Sequence, residues 1–127
     1  MESNILSQLT ESIAIKERKR AEKKNFEVNG IELEFRKLSQ AEQREYYGRL
    51  TEAMSDGSAE DMIDICTALI YDCCPAIQDP ELHRVNNVAD PIDIVRKLLD
   101  VREIDVLGGK LFEWMELFGG EDKTEKN

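Results

Sequence analysis

Asn29-Gly30 interrupts a stretch in which apolar and charged residues alternate, Phe26-Glu27-Val28-Asn29-Gly30-Ile31-Glu32-Leu33-Glu34-Phe35, and this feature restricts the chain more than any other. A two-residue type I′ turn needs positive φ at both central positions, which Asn and Gly tolerate. Such a turn pairs Val28 with Ile31 and Phe26 with Leu33. Phe26, Val28, Ile31, Leu33 and Phe35 then share one face, and Glu27, Glu32 and Glu34 the other. Two strands alone are marginal in water, so the apolar face must rest on helices or be completed by another chain.

Helix signals fill most of the remaining sequence. Ile5, Leu9 and Ile13 recur at steps of four and give a thin apolar stripe, which runs into Lys16-Glu17-Arg18-Lys19-Arg20-Ala21-Glu22-Lys23-Lys24 with almost nothing to bury. This helix is expected to fray or project, its apolar edge either docked on the body or free for a partner. Ser39-Gln40-Ala41-Glu42 is a capping box opening a helix with apolar positions Ala41, Tyr46, Leu50, Ala53 and Met54, which Ser55-Asp56-Gly57 ends. Ser58 caps the next helix. Its positions Met62, Ile65, Cys66, Leu69, Ile70 and Cys73 follow a 3.6-residue period, which predicts a central core helix ending at Pro75.

Two Asp-Pro steps follow, Asp79-Pro80 and Asp90-Pro91, each read as an N-cap with Pro at the first helical position. The second helix carries Ile92, Val95, Leu98 and Leu99. Asp100 and Glu103 open a last helix whose apolar residues are Ile104, Leu107, Leu111, Trp114 and Phe118, with Gly119-Gly120 as its stop. Gly108-Gly109 falls inside that pattern, at a cost of roughly 1 kcal/mol per glycine against alanine. Either the helix breaks there or another backbone comes close. The expected fold is mainly α, a helical single domain with a small N-terminal β-hairpin. It divides into a helical, partly basic arm (1–25), a hairpin plus helical domain (26–120) and a disordered polar tail (121–127).

Charge and cysteine usage exclude several function classes. The chain of 127 residues has 17 Lys plus Arg and 27 Asp plus Glu, a formal net charge of −10. Residues 1–25 hold six basic and four acidic side chains, so the arm sums to +2 and the rest to −12. Binding of nucleic acid by phosphate neutralisation is disfavoured. No apolar run approaches the roughly 18 residues needed to span a bilayer, and no signal-peptide order opens the chain, so a soluble, non-exported protein is expected. Cys66, Cys73 and Cys74 are an odd number, expected as reduced thiols packed in the core. With His83 they make the one conceivable zinc set, in a spacing that fits no standard zinc pattern. No metal or cofactor is therefore expected. No P-loop or dinucleotide fingerprint occurs, and His83, the lone histidine, has no nucleophile signature beside it and is expected as an exposed helix-end residue. The reading is non-enzymatic, with no catalytic residues.

From Cys74 to Gly120 the punctuation is Pro75-Ala76-Ile77, Asp79-Pro80-Glu81-Leu82, a helix ending Val95-Arg96-Lys97-Leu98-Leu99, then Glu103-Ile104 and Leu107 through Phe112, Met115, Phe118 and Gly119. This order resembles the phage tail assembly chaperone family of long-tailed phages and prophages. Members are small, acidic and helical, with a short β element ahead of the helices. One departure is Val101-Arg102, where the family often has Pro-Gly before the helix-opening Glu.

The resemblance implies a chaperone in the cytoplasm of the bacterial host that binds the tape measure protein and keeps it soluble while tail tube subunits assemble around it. Such a protein is absent from the mature virion. Tail tube subunits are an additional partner on this resemblance. Separately, the basic arm beside an acidic body points to self-association or an acidic partner, and composition to no membrane and no nucleic acid. Candidate contact residues are Ile5, Leu9 and Ile13 on the arm and Trp114, Met115 and Phe118 on the last helix, each set against a role in the chain's own core. Family members often occur in two lengths through a programmed frameshift. Glu125-Lys126-Asn127 can be encoded GAA AAA AAC, which contains the slippery run A-AAA-AAC, so a longer product is expected to diverge near this point. The competing reading is an acidic phage-encoded inhibitor that imitates nucleic acid and occupies a host protein.

Overall fold

A computed structural model of the chain describes residues 2–117. Helix α1 (Glu2–Arg20) leads into a hairpin of β1 (Lys23–Val28) and β2 (Ile31–Arg36). Then come α2 (Gln40–Asp56), α3 (Ala59–Cys73), a 3-10 turn (Pro75–Gln78), α4 (Pro80–Val85), α5 (Asp93–Leu98) and α6 (Val101–Trp114). The architecture is mainly helical with one small antiparallel hairpin near the N-terminus, as its alternation predicts.

The hairpin register is the predicted one, with Val28 opposite Ile31 and Phe26 opposite Leu33. Asn29 (φ 54°) and Gly30 (φ 80°) both take the left-handed backbone of a type I′ turn. Asn29 has a second use, because its side-chain amide donates to the Leu98 carbonyl at 2.7 Å and ties the turn to the end of α5. The strands begin at Lys23, so the hairpin takes in residues that the sequence assigns to the arm. Its apolar face rests on helices: Phe35 and Val28 are buried, and the Phe26 ring meets Phe35 at 5.3 Å and Trp114 at 5.7 Å edge-on. Ile31, at the tip, stays exposed beyond the reach of that support.

The core is organised around α3 and α6. Ile65, Cys66, Leu69, Ile70 and Cys73 of α3 pack with Ile104, Leu107, Leu111 and Phe112 of α6 in one buried cluster. Gly108 is the reason the two helices come so close. A Cβ there would stand 2.5 Å from both Cβ and Sγ of Cys66. The helix runs unbroken through Gly108-Gly109, so the close backbone approach is the alternative that holds, and Gly109 faces open space. Tyr46 and Leu50 of α2 close the cluster from another side, with the Tyr46 ring 6.4 Å from Phe112. Tyr46 is buried and its hydroxyl donates to Asp72 Oδ2 at 2.7 Å. Desolvation, aided by the Asp72 carboxylate, pushes the phenol far above its ordinary range and keeps it a donor.

The caps also follow the sequence. Ser39 with Glu42 and Ser58 with Asp61 form reciprocal boxes, and Asp79 accepts from the Glu81 N–H at 2.9 Å. Three elements differ from expectation. Asp90-Pro91 opens only a turn and α5 starts at Asp93: the N–H groups of Asp93, Ile94 and Val95 bond three residues back, to Asp90, Pro91 and Ile92, and not four back as in an α-helix. His83 is half-buried and its Nε2 lies 2.8 Å from the Ile77 carbonyl, so it is a packed residue beside Tyr71 and not an exposed helix end.

The third difference is at the C-terminal end of α6, which stops at Trp114 without reaching Phe118. There the Leu117 N–H bonds to the Phe112 carbonyl at 2.9 Å and the Glu116 N–H to the Glu113 carbonyl at 3.0 Å, around a left-handed Glu116 (φ 60°). This is a Schellman stop made with glutamate in the place that glycine usually takes. Phe118, Gly119-Gly120 and the polar tail lie outside the described residues.

Candidate functional site

Helix α1 departs most from the economy of the rest of the molecule. Its 19 residues extend about 28 Å at 1.5 Å per residue. From residue 4 to residue 20 every position is exposed except Ala14, which is half-buried. Basic residues Arg18, Lys19 and Arg20 fill the last turn, where they complement the helix dipole.

Ile5, Leu9 and Ile13 stand 55%, 58% and 57% exposed, and Leu6 67%. At 100° per residue these four fall within about 100° of arc, a continuous apolar row with nothing from the body over it. Isolated exposed leucines are ordinary, whereas a row of this kind marks a contact surface. The sequence identified three of its members. Leu6 was legible too, since Leu6, Leu9 and Ile13 keep a three-then-four spacing.

The root of α1 is held electrostatically. Lys19 Nζ lies 3.2 Å from Glu116 Oε2, and the Lys19 ammonium holds the Glu116 carboxyl below the usual carboxylate range. Lys37 Nζ lies 3.2 Å from Glu22 Oε1 and 5.4 Å from the centre of the Trp114 ring, with only 7% of its side chain exposed. A buried ammonium held by one carboxylate and one indole face fixes the segment between α1 and β1 against the end of α6. Periodicity carried no signal for Lys37 or Glu116. One stands in a short connection, and the other is distinguished only by its backbone conformation.

The remaining candidates are placed apart from this row. Met115 is buried and Trp114 half-buried, packed on Phe26 and Lys37, so both serve the fold's own interior. Met115 borders the groove at the root of α1 with Lys16, Lys19 and Arg20. Ile5 lies 15 residues before Arg20, about 22 Å further along the helix axis. Buried and half-buried as they are, Met115 and Trp114 add nothing to the exposed row, whose far end at Ile5 is remote from them. Phe118 lies outside the described residues.

Elsewhere the polar chemistry is occupied by structure. Cys66, Cys73 and Cys74 are buried free thiols. Burial pushes Cys66 up to about 11, Cys73 up to about 12, and Cys74 upward as well, so all three stay protonated and unreactive at neutral pH. Glu52, Asp56, Asp61 and Asp64 border an open groove between α2 and α3 together with Arg49. Among the described residues no cluster of histidine, cysteine and carboxylate side chains is placed to hold a metal ion, and no helix is long and apolar enough to cross a membrane. Comparison of the chain with protein-family models, curated proteins and solved structures finds no match.

Proposed function

We propose that the chain is a tail assembly chaperone of a long-tailed phage or prophage, a non-catalytic protein that holds the tape measure protein in solution in the host cytoplasm while the tail tube assembles. The observation that carries this reading is the uncovered apolar row of α1 on an otherwise acidic molecule. An amphipathic helix with anchors at i, i+4 and i+8 is a standard means of engaging the apolar stripe of another helix. A body of net charge −12 keeps such a complex dispersed by mutual repulsion. The order of motifs from Cys74 to Gly120 supports the same family.

The test is co-expression with the large reading frame downstream in the genome, scoring soluble recovery and co-purification of its product. Rescue of the client by the chain, and loss of rescue when Ile5, Leu9 and Ile13 are all replaced by Ser, is the expected result. A client that stays insoluble and unbound, with the longer frameshifted product also supplied, ends the reading and leaves the acidic inhibitor of a host nucleic-acid-binding protein in its place.

A further inference from the structure

The apolar row of α1 has a symmetry that its use by a client does not require. Ile5, Leu9 and Ile13 are spaced evenly about Leu9, and all three are exposed to nearly the same degree. Turning a second copy of the helix about an axis through Leu9 sets residue i opposite residue 18 − i. Leu9 then meets Leu9, and Ile5 meets Ile13 twice. The surface is complementary to itself in the antiparallel sense, which a closed two-fold interface demands. We infer that two copies of this chain pair through α1, antiparallel and centred on Leu9.

Charge selects this orientation over the parallel one. Lys16 and Arg20 continue the same stripe toward the body, at about 20° and 60° from Ile5 around the helix. In a parallel pair Lys16 faces Lys16 and Arg20 faces Arg20, and the two bodies, each carrying −12, lie side by side. The antiparallel pair parts the two Lys16 side chains and carries Arg20 beyond the end of the partner helix. Leu9 is eleven residues from Arg20, so the two points where α1 meets a body stand about 33 Å apart along the shared axis. The acidic bodies are then at opposite ends. Because α1 touches its own body only near its root, a second helix can lie along the row at the usual 8–10 Å axial distance without obstruction.

Four apolar side chains per helix make a contact smaller than the roughly 1,200 Å² of a standard complex, so pairing is a concentration-dependent equilibrium and not a permanent dimer. It covers the row when no client is present. A client helix with a longer apolar stripe competes for the same residues. Pairing does not depend on the tail assembly reading, since a protein that uses α1 for any other partner would still close it this way.

The buried native thiols make the test clean, since a cysteine introduced on α1 is the one reactive thiol. Three full-length single variants, Ile5→Cys, Leu9→Cys and Ile13→Cys, are oxidised with diamide and resolved without reductant. Antiparallel pairing predicts a covalent dimer from Leu9→Cys alone, a strong dimer from Ile5→Cys mixed with Ile13→Cys, and at most weak dimers from either of those two separately. Sedimentation equilibrium of the unmodified chain from micromolar to millimolar concentration should show a reversible dimer. Leu9→Glu should raise its dissociation constant at least about 100-fold, by placing two carboxylates on the axis. Glutamate sustains a helix about as well as leucine, so an unchanged far-UV spectrum will show that α1 is intact. A monomer at every concentration, a dimer that persists in Leu9→Glu, or self-crosslinking of Ile5→Cys and Ile13→Cys as strong as that of their mixture would overturn the inference. A monomeric chain that still rescues its client would leave the proposed function standing.

Discussion

α1 and α6 both carry apolar residues at helical spacing, yet they are used in opposite ways. α6 buries Ile104, Leu107, Gly108, Leu111 and Phe112, whereas the side chains described along α1 reach half-burial only at Ala14. What separates them is the width of the stripe and the fit of what lies opposite. α6 offers a broad face with a glycine in its middle, and α3 presents Cys66 to that glycine. α1 offers four side chains in a narrow row and then a run of cations. Most of a helix's stability in a protein comes from packing of its apolar face and not from propensity, and along α1 that face is left exposed.

The sharpest way to break this comparison is one substitution made on both helices. Leu111→Ala removes a side chain that is fully buried, and the expected loss is about 3 kcal/mol, the middle of the range for cavity-forming changes. Leu9→Ala, measured at high dilution so that association does not contribute, should change unfolding by less than about 0.5 kcal/mol. Chemical denaturation followed by circular dichroism reads both. Comparable losses would mean that α1 is part of the core after all.

The two adjacent glycines of α6 sharpen it further. Gly108→Ala drives a methyl group into Cys66 and is expected to destabilise by about 2 kcal/mol, as overpacking of a close helix contact does. Gly109→Ala meets nothing within 4 Å and should stabilise by about 1 kcal/mol through helix propensity alone. Opposite signs at neighbouring positions would locate the α3–α6 contact by thermal unfolding. Equal signs would mean that the helices do not meet there. Tyr46→Phe, which leaves the ring and removes only the donor to Asp72, should cost about 1 kcal/mol in the same assay.

Much of this was legible in the sequence because the relevant physics is local. The Asn29-Gly30 turn, the hairpin register, the boxes at Ser39 and Ser58 and the break at Pro75 each follow from a few neighbouring residues. Asp90-Pro91 carries the same local signal as Asp79-Pro80 and yields a different result. Each Asp side chain accepts from the N–H two residues on, but the Asp79 carbonyl takes the His83 N–H as an α-helix requires, whereas the Asp90 carbonyl takes that of Asp93 and closes a turn. The stop of α6 at Glu116 was not legible, because no sequence rule selects glutamate for a left-handed position. Trp114 was legible as an apolar position of the last helix as well as a contact candidate, and the hairpin and Lys37, distant in sequence, are what cover it. For α1 the sequence left docking and projection open, and in the structure the row of Ile5, Leu9 and Ile13 stays exposed, with only Ala14 half-buried along the described side chains of the helix.

The smallest expected effect concerns that root. Glu116 accepts a left-handed backbone, which disfavours any residue with a Cβ, while its carboxylate holds Lys19. The Lys19 ammonium lowers the Glu116 pKa in the folded state. A carboxyl whose folded pKa lies below its unfolded value stabilises the docked root above the unfolded pKa, and loses that contribution as pH falls through the folded one. Both partners are largely exposed, so the pair is screened by salt and its effect on global unfolding should be near the limit of measurement. The chain's one tryptophan, Trp114, lies beside Lys37 at this junction and gives a local reading instead. Its emission should change as pH is lowered through the acid range in the native chain, and the change should weaken at high salt and in Glu116→Gln. Glu116→Gly should free the backbone and abolish the pH response together. A response that survives in both variants would mean that Glu116 is not its source.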